Sequence, residues 1–276
     1  MPISGPIDIP EHVRDLLEPA KQSMVVDRRG STVWDVQTTS GRRLAVKIGY
    51  PTQTHSWTAV APAREAVILR GLIPQEVQYG EWREGTWSAQ PWREGESLFG
   101  RWLPCRAVSE SPDLDDALAC AVALSNLHDA GWAHGDVQPN HFIIGPDGTA
   151  LIDVALARGD GEIPEVYDFQ YRGCLVHYEA PEISKAILQE GTAVPSREAD
   201  VYALGASFFI SATGRRHVDY PDDAERAVQR QAIVDKPHRP INVPGRLGGL
   251  IEQMMNRNPA DRPTSGEVCA ELRRAG

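Results

Sequence analysis

Long apolar runs are absent from this chain. No stretch of eighteen or more consecutive apolar residues occurs, so no membrane-spanning helix is expected. Cysteine is scarce: Cys105, Cys120, Cys174 and Cys269 lie far apart without a C-x-x-C spacing, and they read as reduced, mostly buried thiols. Positive charge is in deficit, with 28 Lys and Arg against 38 Asp and Glu and a formal net charge of −10. That balance argues against nucleic acid or an anionic membrane as the main partner. The opening residues Met1-Pro2-Ile3-Ser4-Gly5-Pro6 lack a basic stretch followed by an apolar one, so no secretory signal is expected there and a cytoplasmic location is. Repeats and low-complexity linkers are also missing. What is present is a chain of 276 residues, 41% hydrophobic, which is enough to bury a sizeable core.

One stretch organises the rest: His134-Gly135-Asp136-Val137-Gln138-Pro139-Asn140-His141-Phe142-Ile143-Ile144. Its apolar end, two residues of it β-branched, predicts a short buried strand. Before that strand a tight loop holds one carboxylate, Asp136, with Pro139 fixing the backbone shortly after. Asp147-Gly148 then marks a hairpin turn, and a second apolar run, Ala150-Leu151-Ile152, ends in Asp153. Two carboxylates therefore flank one hairpin. This arrangement suits phosphoryl transfer, in which one carboxylate accepts a hydroxyl proton and the other holds a metal on the nucleotide. Two ordinary turn aspartates are the alternative.

Elsewhere the pattern alternates between strands and helices. Residues 11–18 form a short amphipathic segment with Val13, Leu16 and Leu17 on one side. Residues 21–48 read as strand, turn, strand, turn, strand, the last carrying one lysine in Leu44-Ala45-Val46-Lys47-Ile48. Such a lysine either faces solvent or serves a site. Residues 61–71 read as a helix closed by Gly71, and residues 77–82 and 86–92 as a hairpin turning at Glu84-Gly85. A long helix is expected over 113–130, with Leu114, Leu118, Ala121, Val122, Ser125 and Leu127 on its apolar side, and another from Ser196.

Taken in order, these motifs resemble the protein-kinase family over roughly residues 21–275. His134-Gly135-Asp136 stands where H-R-D opens the catalytic loop, and Asp153-Val154-Ala155 where D-F-G stands. Leu44-Ala45-Val46-Lys47 resembles V-A-I-K, Ala180-Pro181-Glu182 matches A-P-E, and Asn258-Pro259-Ala260-Asp261-Arg262-Pro263 resembles the motif whose arginine pairs with that glutamate. The resemblance implies an α+β, bilobal fold, with a small β-rich N-lobe over residues 1–92 and a mainly helical C-lobe over 93–276. It implies ATP and Mg2+ as cofactors. Asp136 becomes the catalytic base, and Lys47, paired with Glu65, the holder of the phosphates. Val33 would cover the adenine, with Gln90 near the gatekeeper position, Pro91 and Arg93 in the hinge, and Asp153 on the metal. Asp200 would anchor the catalytic loop.

Four departures shape the functional expectation. His141 replaces the metal-binding asparagine, which adds an imidazole to Asp153 at the metal and brings Mn2+ into question. Gly135 replaces the arginine of H-R-D, Gln138 the lysine two residues past the aspartate, and Leu175 the threonine of the substrate-docking loop. The phosphate loop over 26–31 has only Gly30, with Arg28 and Arg29 beside it. H-G-D also occurs in aminoglycoside- and choline-type kinases and in the kinase domains of lanthipeptide synthetases. The expected function is therefore an ATP-dependent kinase phosphorylating a Ser/Thr hydroxyl of a peptide or protein, with a further partner protein in view. A pseudokinase scaffold or nucleotide sensor and a small-molecule kinase are the alternatives. Residues 154–179 contain no serine or threonine, and the fixed charges Asp160, Glu162, Glu165 and Asp168 are expected to order this segment against Arg158 or Arg172.

Overall fold

Period-two alternation builds the first half of the molecule. The computed structural model describes residues 7–28, 30–53, 55–73, 76–83, 85–108 and 110–274. Residues 1–6, Arg29 and Glu84, all named above, lie outside them. Strands β1 (Pro19–Arg28), β2 (Ser31–Thr38), β3 (Arg43–Gly49), β4 (Gln78–Trp82) and β5 (Gly85–Pro91) form an antiparallel sheet in the order β1-β2-β3-β5-β4. In β3, Leu44, Val46 and Ile48 point to one face and are buried with Val36, Trp87 and Ala89. Helix α1 (Glu11–Leu17) covers that face through Val13 and Leu17. Each such side chain contributes about 1.5–3 kcal/mol on leaving water. Leu16, expected on the same side, is 59% exposed: this short helix rests on one narrow stripe, and Leu16 falls beside it. Helix α2 (Ala61–Leu72) packs on β5 and β4. It does not end at Gly71 as expected. The closing bond is made by the Ile73 N–H to the Leu69 carbonyl at 2.6 Å, with Ile73 at φ −137°, so no left-handed glycine is needed.

The second half is mainly helical. Strand β6 (Glu96–Ser97) precedes α3 (Leu98–Arg101), α4 (Leu103–Val108) and α5 (Leu114–Asp129). Next come β7 (Trp132–Ala133), the hairpin β8 (Phe142–Gly145) and β9 (Gly148–Leu151), and β10 (Arg158–Gly159), which pairs with β7. The hairpin register pairs Gly145 with Gly148, so Pro146 and Asp147 occupy the turn centre, one residue earlier than read from the sequence. Helices α6 (Pro181–Glu190), α7 (Arg197–Thr213), α8 (Arg226–Asp235), α9 (Gly245–Met254) and α10 (Ser265–Arg273) complete the chain. Helix α7 is buried on every side from Ala199 to Phe209 and forms the centre of the core. Its start is fixed by Ser196, whose hydroxyl accepts from the Ala199 N–H at 3.1 Å. Helix α5 buries Ala117, Cys120, Ala121 and Leu124, whereas Leu114, Leu118, Val122 and Ser125 are only half-buried. Small side chains let it approach α10 and α7, and this selects a face that hydrophobicity alone does not mark.

The architecture is thus α+β, a sheet-rich part followed by a mainly helical one. The chain gathers into two compact units, Met1–Arg93 with Gly161–Phe169, and Glu94–Asp160 with Gln170–Gly276. None of the described helices is long and apolar enough to cross a membrane.

Candidate active site

In the first unit, strand register collects one set of predicted residues on one face. Val33 lies opposite Lys47, Lys47 opposite Ser88, and Ala45 opposite Gln90. Directly paired residues share a face, so these stand together on the side of the sheet turned away from Val46 and Ala89. The Lys47 ammonium reaches both oxygens of Glu65 on α2, at 2.6 and 2.9 Å. The lysine side chain is 13% exposed and the glutamate 1%. Gln90 donates to the same carboxylate at 3.4 Å. Pro91 closes β5, the Trp92 N–H makes the last sheet bond to the Arg43 carbonyl, and Arg93 follows in irregular chain. Ser88 adds a buried hydroxyl with no hydrogen-bond partner among the described residues. No motif pointed to it.

The expected phosphate loop is a tight hairpin. Strands β1 and β2 stay paired down to Arg28 opposite Ser31. Gly30 holds φ +95° and its carbonyl accepts from the Tyr50 N–H at 2.8 Å, while a Cβ there would lie 2.7 Å from the Tyr50 carbonyl oxygen. The single glycine is thus explained by backbone contact within this unit.

In the second unit the catalytic-loop stretch is hung from Asp200. One oxygen of this buried carboxylate accepts from the His134 N–H at 2.5 Å and the other from the Gly135 N–H at 2.9 Å. His128 adds a contact at 3.1 Å and is itself bonded to Ser265. Fixed in this way, the loop makes a second layer of bonds. The Asp136 N–H donates to Nδ1 of His134, and Nε2 of His134 contacts the Ile152 carbonyl, each at 3.1 Å. A carbonyl only accepts, so Nε2 carries the proton. Burial lowers the pKa of this ring and keeps it neutral. Gly135 stands at φ +77°, where a Cβ would meet the Leu156 carbonyl oxygen at 2.9 Å and Pro195 at 3.1 Å. Any side chain in the place of the H-R-D arginine is strained here. The freed Gly135 carbonyl accepts from the buried Tyr171 hydroxyl at 2.8 Å.

Asp136, His141 and Asp153 converge. One ligand atom from each lies within 4.8 Å of the others. Nδ1 of His141 is 2.9 Å from the Asp136 carbonyl, which fixes the ring with Nδ1 protonated and turns Nε2 toward Asp153, 3.4 Å from its Oδ2. Asp153 holds the left-handed conformation, φ +66°. Asp136 receives the Gln138 amide on Oδ2 at 3.2 Å, while its buried Oδ1 has no hydrogen-bond partner among the described residues. Burial first, then the nearby Asp153 charge, pushes the Asp136 carboxyl well above the usual carboxylate range. Two carboxylates and an imidazole with an inward lone pair form a donor set that fits a divalent cation.

Sequence reading missed the group that completes this surroundings. Cys174 lies close enough to Asp136 for each to shift the other: its thiol donates to the Leu175 carbonyl at 3.7 Å, and burial followed by the Asp136 charge keeps it un-ionised. Leu175, the residue at the expected threonine position, is exposed instead. The same segment is pinned by Glu179, a buried carboxylate held by Arg230 at 2.7 and 2.9 Å and by the Ser184 hydroxyl at 2.7 Å. Arg262 meets Glu182 through two bonds of 2.7 and 2.8 Å, as the motif order implies.

No family model matches the chain. The serine/threonine-protein kinase PknK of Mycobacterium tuberculosis is 32% identical over 158 residues, covering 55% of this chain and 14% of that protein. The probable serine/threonine-protein kinase PkwA of Thermomonospora curvata is 24% identical over 258 residues, 83% of this chain and 33% of that protein. Serine/threonine-protein kinase 16 of Mus musculus is 24% identical over 181 residues, 60% of this chain and 56% of that protein. The chain spans less than two thirds of each of these relatives. Sheet, helices and ordered motifs agree with these relatives, which support a protein-kinase-like superfamily for the chain.

Proposed function

We propose that the chain is an ATP- and divalent-metal-dependent phosphotransferase acting on a Ser/Thr hydroxyl of a peptide or protein. The observation that carries this reading is the convergence of Asp136, His141 and Asp153, with one buried Asp136 oxygen that has no hydrogen-bond partner among the described residues. Asp136 accepts the proton of the acceptor hydroxyl. Its elevated pKa suits a base, because proton affinity rises with it. Asp153 and His141 hold the cation, which neutralises charge on the nucleotide phosphates. Lys47, oriented by Glu65, aligns the α- and β-phosphates. Val33, Gln90, Pro91 and the Arg93 N–H receive the adenine. In this reading residues 1–92 serve the nucleotide and residues 93–276 the acceptor, inside the cytoplasm.

A peptide acceptor is favoured over a small molecule by the segment that follows Asp153. Residues 173–182 are held by Glu179–Arg230 and Glu182–Arg262, an investment of two buried or half-buried ion pairs in a surface a small alcohol does not need. The pseudokinase alternative rests on the tight β1–β2 hairpin. Nucleotide binding and ATP turnover, measured with and without Mg2+ or Mn2+ in the presence of Ser/Thr peptide libraries, test the proposal. Metal-dependent transfer to a peptide supports it. Binding without turnover turns the reading to a sensor, and transfer to aminoglycosides or choline alone turns it to a small-molecule kinase.

A further inference from the structure

Residues 161–169 lie some way past Asp153 in sequence, yet they pack on α2 as part of the first unit. Four contacts hold them there. Arg64, the neighbour of Glu65, is buried with its guanidinium 5.2 Å from the centre of the Phe169 ring and its Nε 3.7 Å from Oδ1 of Asp168. Trp57 meets the same Phe169 ring at 5.2 Å. Tyr167 stands edge-on to Tyr79 at 6.1 Å, and Arg70 of α2 lies over Tyr79 at 4.8 Å. Asp168 thus meets Arg64, an arginine the sequence reading did not name for it.

The geometry points to Arg64 as a positioning residue: with Asp168 and Phe169 it forms a built-in latch that holds α2, and therefore Glu65, in register with Lys47 without any covalent modification. A guanidinium withdrawn from water needs a carboxylate or an aromatic face to offset its desolvation, and the segment supplies both. Arg64 and Glu65 are successive residues of one helix. Displacing Arg64 from its seat turns or shifts the helix that carries Glu65, whose bonds to Lys47 at 2.6 and 2.9 Å tolerate little movement. The segment offers little to a modifying enzyme. Residues 161–169 contain no serine or threonine, and their one tyrosine, Tyr167, is half-buried edge-on to Tyr79.

This inference rests on the proposed reading for its effect on turnover, but the latch itself is readable without turnover. Hydrogen exchange of the full chain is compared for wild type, Arg64→Met, Phe169→Ala and the conservative Phe169→Tyr. Loss of the latch is expected to speed exchange of the amides of 161–169 and of α2 about tenfold, with Phe169→Tyr close to wild type. If transfer activity exists, kcat falls in parallel while the nucleotide Kd changes less, and Phe169→Tyr restores kcat. Should Arg64→Met fail to fold, Phe169→Ala decides. Unchanged exchange in 161–169 and α2 for Phe169→Ala overturns the latch. Faster exchange in a chain that transfers no phosphate keeps the latch and sinks the proposed function instead.

Discussion

The Lys47–Glu65 pair and the Asp136–His141–Asp153 cluster both withdraw charge from water, and they are balanced differently. In the first, one ammonium meets one carboxylate through two short bonds, Gln90 supports the acceptor, and the net charge is zero. In the second, two carboxylates share one imidazole, whose Nδ1–H is committed to a backbone carbonyl. The carboxyl of Asp136 is pushed upward by burial and by Asp153. A balanced pair is complete by itself. A site in which a buried carboxylate oxygen has no hydrogen-bond partner among the described residues gains stability when a proton or a cation arrives. Removing a partner should therefore cost chemistry in the second place and folding stability in the first.

The largest effect belongs to the unbalanced site. Asp136→Asn should lower phosphoryl transfer about a thousandfold, within the range general-base removal gives, with nucleotide binding nearly intact. Asp153→Asn should lose metal-dependent nucleotide binding as well. Neither should destabilise the fold. The folded-state pKa of Asp136 is raised, so its contribution to stability is present at acid pH and is lost as pH rises through that value. Asp136→Asn should therefore melt at or above the wild-type temperature at pH 8. Full turnover in this variant removes Asp136 from its role.

Next in size is the balanced pair. Lys47→Met leaves Glu65, 1% exposed, without its counter-charge, and breaking a buried pair in this way costs about 3 kcal/mol or more. The double variant Lys47→Met, Glu65→Leu should recover most of that loss while remaining inactive. Urea unfolding of both variants checks this. Equal stabilities would mean that the pair is not desolvated in solution.

How much of this contrast was legible beforehand follows from what each feature depends on. Strand alternation around Lys47 and the two carboxylates around the hairpin are local patterns, and local patterns survive folding. The Asp200 anchor and the Arg262–Glu182 pair were reached through motif order, although they span 65 and 80 residues. What stayed hidden depends on packing between distant segments: the Cys174 thiol on Asp136, the Arg230 clamp on Glu179 and the seat of Arg64 on Phe169. Gly135 is instructive in another way. Its identity looked like a lost arginine, but the backbone there is left-handed and crowded, so glycine is a requirement of the turn.

A smaller effect should come from the imidazole. His141→Asn replaces a nitrogen ligand by an amide oxygen, which suits the harder magnesium ion better than the softer manganese. The ratio of manganese- to magnesium-supported activity should fall about tenfold, read from metal titrations at saturating nucleotide. Identical profiles for the two proteins would show that the Nε2 lone pair of His141 never meets the cation, and that the two carboxylates alone hold it.

The smallest effect probes how far the surplus charge at Asp136 is relieved by neutral donors. Gln138 donates to its Oδ2 at 3.2 Å, and Gln138 and the neighbouring Cys174 thiol both lower a pKa that burial and Asp153 raise. Gln138→Leu removes one donor worth about 0.5–1.5 kcal/mol, so the carboxyl should hold its proton to higher pH. Transfer needs the ionised base, and the acid limb of the kcat profile should move upward. At pH 6 the rate should fall about threefold against wild type, which is the rate equivalent of about 0.65 kcal/mol, while the plateau at pH 8.5 stays within about twofold. Cys174→Ala should move the limb in the same direction, and Cys174→Ser should bring it back because the hydroxyl still donates. A uniform loss at every pH would assign both side chains to the acceptor surface, leaving the charge of Asp136 to be balanced by the metal alone.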